Sequence, residues 1–287
     1  MSEHQAGLFD RHYTHHLFLE FALGAGADMD GVRQALRDVL ARAPASTPLL
    51  MAFGPGLWQK LSRSFRFPPF SLEGKAPSTQ GDLLIWIQAE NPSDLFDTAL
   101  VASRRLREVL ALQLEVQGFV YHDMRDLSGF VDGIGNPTGD KALAAAVIPE
   151  GQPGAGGSWM ITQKWVHKLE SFNALPVEEQ EKVFGRTKAD AVEFDEENMP
   201  ENSHVGRTDV DHDGVPQKIW RRSVPYGTTT EHGSYFIAFT CERERFEFLL
   251  RRMYGMVDGV RDRLLDYSRP VTGSWWYAPS QEWLSAL

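Results

Sequence analysis

The sequence predicts an α+β fold built from two tandem ferredoxin-like units, on three observations. Short apolar runs of strand character alternate with segments of helical periodicity. In the first half their order is β-α-β-loop-β-α-β, the order of a ferredoxin-like unit. The second half repeats that grammar more loosely, with one long insertion over 186–217. Two such units joining their sheets around one core is the simplest architecture. The halves share a pattern, not a visible sequence identity.

HHLFLEFAL (15–23) is apolar and closed by Gly24, which suits a strand. Over 28–43, Val32, Leu36, Val39 and Leu40 fall at helical spacing, with Asp28 or Asp30 as cap and Pro44 beyond the end. LLMAFG (49–54) is a short apolar run closed by Gly54 and Pro55, and LLIWIQAE (83–90) reads as a buried strand. Leu95, Ala99, Ala102 and Leu106 form one face of a helix over 91–110, capped by Asn91 or Ser93. LQLEVQGFVY (112–121) alternates as a strand does. This N-terminal unit spans 1–134, and a Gly-, Pro- and Ala-rich connection over 135–156 is expected to be solvent-exposed.

The C-terminal unit spans 157–287. GSWMITQKWVHKL (157–169) reads as a strand with Trp159, Ile161, Gln163, Trp165 and His167 on one face. A helix is expected over 176–188, with Pro176 first and Gly185 after its end. Strands follow over 218–227 and 233–242, helices over 245–255 and 257–267, and an aromatic strand over 272–279. The insertion over 186–217 is acidic and lacks periodicity, and loops of that length inside a domain are often functional.

Composition narrows the function classes. The 287 residues are 42% hydrophobic and 24% charged, which excludes a disordered or fibrous chain. The net charge of −10 without a basic patch disfavours nucleic-acid binding. Cys241 stands alone, so there is no internal disulfide framework and no cysteine-based zinc cluster. Residues 1–16 carry no secretory signal pattern and no window resembles a membrane span, so a cytoplasmic protein is expected.

Three places hold residues with chemical potential. His204 lies in the aperiodic loop and reads either as an exposed histidine or as an axial metal or heme ligand. Arg221 and Arg222 are adjacent in a strand, so their side chains point to opposite faces. Either the strand is an edge with both exposed, or one arginine is aimed into a pocket where it stabilises negative charge. Asp132 lies in GFVDGIGNP (129–137), where it is either a turn residue or a carboxylate held against an apolar wall as a general base. His12, His15 and His16 read as a solvated segment, and Trp275, Trp276 and Tyr277 as core. Gly-x-Gly-x-x-Gly, Walker A and nucleophile-elbow motifs are absent.

Together, GFVDGIGNP, FGRTKAD (184–190), ENSHV (201–205) and KIWRRSVPYG (218–227) resemble the dye-decolorizing peroxidase family, in its bacterial B-type branch. GSWMITQKWVHKL and RPVTGSWWYAPS (269–280) extend the resemblance from about residue 15 to the C-terminus. It implies two ferredoxin-like units in an α+β barrel of the dimeric type, with one heme b in the C-terminal half. It implies His204 as the proximal iron ligand, Asp132 as the distal carboxylate, Arg221 as the distal arginine and Ser223 beside the peroxide site. Asp262 and Asp266 are both candidates for the carboxylate behind the proximal imidazole. The implied activity is reduction of hydrogen peroxide through Compound I at the expense of phenols, anthraquinones and other dyes. A homo-oligomer is expected, and an encapsulin partner is compatible with the family, although no targeting tail is recognised. One departure stands out. Relatives read DGTENP where this chain reads DGIGNP, so Ile134 and Gly135 remove a hydroxyl and a carboxylate. Position 135 therefore offers no carboxylate to manganese, which that Glu helps to bind in some relatives. A non-catalytic heme carrier and a heme-free ligand-binding barrel are the competing readings.

Overall fold

The computed structural model describes residues 3–287. The first half runs β1 (His15–Leu23), α1 (Met29–Arg42), β2 (Leu49–Phe53), α2 (Pro55–Leu61), β3 (Leu83–Ala89), α3 (Pro92–Leu106) and β4 (Leu110–Phe119). Asp28, not Asp30, caps α1, accepting from Asp30 N at 3.1 Å. Asn91 caps α3 through Ser93 N and Asp94 N, and Pro92 sits where no backbone donor is needed. The strands pair in the order β2-β3-β1-β4, all antiparallel.

The second half runs α4 (Asp140–Ala146), β5 (Ser158–His167), α5 (Leu169–Asn173), α6 (Val177–Phe184), α7 (His204–Thr208), β6 (Asp211–His212), β7 (Val215–Pro216), β8 (Trp220–Arg221), β9 (Val224–Gly227), β10 (His232–Thr240), α8 (Arg243–Met253), β11 (Ser268–Pro270), β12 (Ser274–Ala278) and α9 (Gln281–Ser285). Its main strands pair in the order β12-β5-β10-β9, which is the order of the first half again. Two seams close both sheets into one ring. Tyr277 of β12 lies opposite Phe53 of β2, and Gly118 of β4 lies opposite Tyr226 of β9. A side chain at Gly118 would meet Val224 Cγ1 at 2.4 Å, so the second seam requires glycine.

Alternation divides the side chains between two layers. Phe18, Trp86, Tyr235, Phe239 and Trp276 fill the barrel interior. Leu17, Leu19 and Phe21 face outward, where Val32, Leu36 and Val39 of α1 and Leu95 and Leu106 of α3 cover them. Each buried side chain of this size contributes roughly 1.5–3 kcal/mol.

Four expectations are corrected. The helix expected over 257–267 is absent. Gly255 (φ +68°) and Gly259 (φ +82°) take left-handed conformations, and only one 3₁₀ turn, Arg263–Asp266, follows. The strand expected over 218–227 is interrupted at Arg222 and Ser223, although β8 and β9 keep one register on β10, with Arg221 opposite Ala238 and Val224 opposite Tyr235. The connection after residue 134 is not exposed throughout. Its helix α4 buries Ala142, Ala145 and Ala146, and Ala145 O accepts from Cys241 N at 2.8 Å. His16 is not solvated but fully buried inside the barrel.

Candidate active site

A cavity lies on the outer face of the second sheet, beneath α8. Ile161, Gln163 and His167 of β5 and Ser234 and Phe236 of β10 line one side of it, and Leu249 and Met253 of α8 another. It leaves about 210 Å³ to the centre of a water molecule. One water needs roughly 10–15 Å³ on that measure, so the space suits a large ligand. Asp132, His204, Arg221 and Ser223 all line this cavity, although they come from three separate parts of the chain.

His204 opens α7. Ser203 caps that short helix, accepting from Gly206 N at 3.1 Å. Gly185, left-handed at φ +85°, ends α6 so close to Ser203 that any Cβ there would meet its Oγ at 2.8 Å. Buried Arg207 holds both oxygens of Asp258 at 2.7 Å and ties α7 to the turn after α8. That turn also delivers Asp262, fully buried, whose Oδ2 accepts from His204 Nδ1 at 2.7 Å. The other Asp262 oxygen accepts from Leu264 N at 2.8 Å. Asp266 instead pairs with Arg261 at the surface, 2.5 Å away. Asp262 is therefore the carboxylate behind this imidazole. Because a carboxylate only accepts, Nδ1 carries the ring proton and the Nε2 lone pair stays free.

Asp132 and Arg221 are brought together by Asn136 of the same turn sequence. Asn136 Nδ2 donates to Arg221 O at 2.7 Å, and Arg221 N donates to Asn136 Oδ1 at 3.0 Å. One side-chain amide thus imitates a strand partner and fixes the turn to β8. Asp132 N donates to Met124 O at 3.0 Å, and Gly133 turns the chain at φ +70°. Neither the Asp132 carboxylate nor the Arg221 guanidinium has a hydrogen-bond partner among the described residues. Burial pushes the Asp132 carboxyl above its ordinary value, and Arg221 offsets this only in part. A side chain at Gly135 would begin 3.4 Å from Arg221 Nη2, so the missing carboxylate would have stood beside this arginine.

Sequence reasoning misses two groups on the same cavity. His167 bridges Asp126 (Nε2 to Oδ2, 3.0 Å) and Ser268 (Nδ1 to Oγ, 2.7 Å). Burial alone would raise the Asp126 carboxyl, but His167 and the backbone N–H of Ser128, 2.9 Å away, hold it down to about 2. Ser128 Oγ, Gln163 Nε2 and Ser234 Oγ are buried against the cavity without a partner among the described residues. The alternation of β5 does place Gln163 and His167 on one face, and that is the only signal the sequence carries for them.

Known proteins resemble this chain along most of its length. A model of the Dyp-type peroxidase N-terminal region matches residues 22–120, and one of the C-terminal region matches residues 123–283. A dye-decolorizing peroxidase of Rhodococcus erythropolis is 36% identical, over 93% of this chain and 84% of its own. The chain belongs to the DyP-type peroxidase family. Solved members share the fold of this DyP-type peroxidase along its whole length. A DypB variant from Rhodococcus jostii RHA1 in complex with heme superposes with a TM-score of 0.88 at 34% identity, covering 98% of both chains. An encapsulated DyP-type peroxidase from Mycobacterium smegmatis gives 0.91 at 33% identity, covering 99% of this chain and 98% of that one. The resemblance in the sequence motifs, the B-type neighbourhood and the barrel of two ferredoxin-like units all stand, and the protein is an oxidoreductase of the peroxidase class.

Proposed function

We propose that this DyP-type peroxidase holds one heme b per chain in the C-terminal cavity and uses hydrogen peroxide to oxidise phenols and dyes. One observation carries the reading. A single cavity presents an imidazole already committed through Nδ1 to a buried carboxylate, together with an aspartate and an arginine that are committed to nothing. The cavity also fits the group. Ile161, Val205, Leu249 and Leu250 offer apolar walls to a porphyrin, while Arg186 and the orphaned atoms of Ser128, Gln163 and Ser234 offer partners for its polar edge.

Bound heme would supply the redox chemistry, two-electron reduction of peroxide coupled to one-electron oxidation of two donor molecules. His204 holds the iron through Nε2, and Asp262 makes that nitrogen more electron-donating. The Asp132 carboxylate takes a proton from one peroxide oxygen and returns it to the other, which leaves as water. The Arg221 guanidinium faces the charge that separates as the O–O bond breaks. Ser223, which lines the same cavity, adds a hydroxyl to that side. Stopped-flow absorbance of heme-reconstituted protein mixed with peroxide tests the assignment. A rapid Soret change, reversed by two equivalents of a phenol, is expected. An unchanged spectrum would leave only a heme carrier.

Small phenols are proposed to react at the cavity and large dyes at a surface aromatic. Trp275, Trp276 and Tyr277 are buried, so none of them is the dye contact. The half-buried Tyr121, Trp159, Tyr254, Tyr267 and Trp283 remain. Mutual competitive inhibition between a phenol and an anthraquinone dye would argue for one shared site. Manganese oxidation is expected to be poor because Mn²⁺ favours oxygen ligands and Gly135 supplies none; efficient saturable turnover of Mn²⁺ would overturn this. Homo-oligomerisation is part of the proposal, and a single-chain mass by light scattering would remove it.

A further inference from the structure

A second, smaller cavity lies on the other side of Asp132, between the end of the barrel and the turn that carries this aspartate. It shares Asp132, Arg221 and Ser223 with the large cavity and adds Arg11, His16 and Arg222. It leaves about 20 Å³ to the centre of a water molecule. That is room for roughly one water or one halide-sized ion.

The charges around this space do not balance. Arg11, Arg125, Arg221 and Arg222 line it, against the single carboxylate of Asp132. Arg125 is already satisfied, by Asp123 at 2.9 Å and by the carbonyls of Gly129 and Lys188 at 2.8 Å. Arg222 is not. It is only 4% exposed, and among the described residues no carboxylate forms an ion pair with it and its Nε has no partner. Its Nη2 reaches only Tyr13 O at 3.2 Å and His16 Nε2 at 3.4 Å. His16 cannot supply the missing negative partner. Trp86 Nε1–H donates to His16 Nδ1 at 3.3 Å, so the neutral ring carries its proton on Nε2, turned towards the arginine. Burial, and then Arg222, hold His16 down to about 3, so it adds no positive charge either. Arg11 is exposed, and among the described residues its Nη2 has a single hydrogen-bond partner, Met124 Sδ at 3.5 Å. A buried guanidinium with neither carboxylate nor full hydrogen bonding is a costly arrangement unless an anion completes it.

We propose that this cavity binds one small monovalent anion of chloride or bromide size, held between Arg222 and Arg11. The volume excludes sulfate or phosphate. The site itself stands on this geometry and not on the catalytic reading. Its consequence for Asp132 does rest on that reading: a bound anion offsets the pull of the arginines and makes the carboxylate keep its proton more tightly.

Anomalous diffraction from crystals of the heme-loaded protein grown in bromide tests the site directly, whatever the turnover. A peak between Arg11 and Arg222 is expected in the wild type and none in Arg222→Gln. No peak, a peak only at the heme iron, or a peak that survives Arg222→Gln would overturn the proposal. If Arg222→Gln fails to fold, Arg11→Gln at the exposed position replaces it and should weaken the peak. In parallel, chloride should raise the wild-type Tm by about 2–5 °C over gluconate at equal ionic strength. Arg11→Gln should lose at least half of that shift, and retention of the full shift would count against the site.

Discussion

The two halves of the barrel share one strand order, yet one is sealed and the other hollow. In the first half, the outward residues of β1 are Leu17, Leu19 and Phe21, and two long helices cover them. In the second, β5 presents Ile161, Gln163, Trp165 and His167 at the same layer, and β10 presents Ser234 and Phe236. Only α8 lies over that sheet as a full helix. The chain between β5 and β9 is broken into α5, α6, α7 and a short hairpin. One topology thus yields both a scaffold and a site. Polar residues on the sheet and the loss of one covering helix open a cavity, and the segments that replace the helix supply His204. The sealed half supplies rigidity, and the turn that follows β4 reaches across to supply Asp132.

The largest effect is expected at His204. If the hollow half exists to hold heme through this residue, His204→Ala should abolish stable heme binding while leaving the sealed half folded. Reconstitution followed by the Soret spectrum and circular dichroism reads both. Native Soret intensity with full turnover would mean that another residue ligates the iron.

The opposite wall of the cavity should show the next largest effect. Removing one preorganised charge-stabilising group costs about 10²–10³ in rate where it acts in the slow step. Arg221→Ala should therefore slow the reaction with peroxide by that factor without a comparable loss of heme. For Asp132 the sign follows from its raised value. The carboxylate must be ionised to take a proton, so the rate falls as pH falls through a value above the ordinary 3.8. Asp132→Asn should slow the step and remove this acid limb. An unchanged pH–rate profile would transfer the base role to another group.

How much of this arrangement is legible in the sequence differs by layer. Long elements with clear periodicity, such as β1, α1 and α3, are readable because their buried faces repeat at fixed spacing. The family resemblance brings Asp132, His204, Arg221 and Ser223 to one cavity, where the motifs taken singly leave each with a bland alternative. Asp262 and Asp266 are not separable, since both lie in RDRLLDY and a helical reading treats them alike. The left-handed glycines at 255 and 259 break that helix, and only the tertiary contact to His204 decides. His16 reads as solvated because it stands among other histidines near the terminus. The register of β1 turns it inward with Phe18 and Glu20, and that register is set by pairing with β3 and β4.

Asp262 offers a finer test of the proximal wall. Outer partners of a metal-ligating imidazole typically matter by about 10–100-fold in affinity or activity. Asp262→Asn keeps the shape but weakens the acceptor for His204 Nδ1–H. Heme should still bind, the reduction potential should rise, and the reaction with peroxide should slow by about that factor. A potential equal to wild type would show that the hydrogen bond only positions the ring.

The smallest expected effect bears most directly on why the two halves differ. Gln163 is almost fully buried, and its Nε2 has no partner. An orphaned buried donor costs about 1–3 kcal/mol of stability. Its counterparts on the outer face of β1 are apolar and carry no such cost. If the polar floor is retained for a ligand, Gln163→Leu should stabilise the heme-free protein by about 1–3 kcal/mol. The same variant should release heme faster, because the ligand's polar edge loses a donor. Chemical denaturation of the apoprotein and heme transfer to an acceptor globin measure the two quantities separately. A variant that gains stability without losing heme would show that the donor serves no ligand, and the hollow half would then owe its cavity to the missing helix alone.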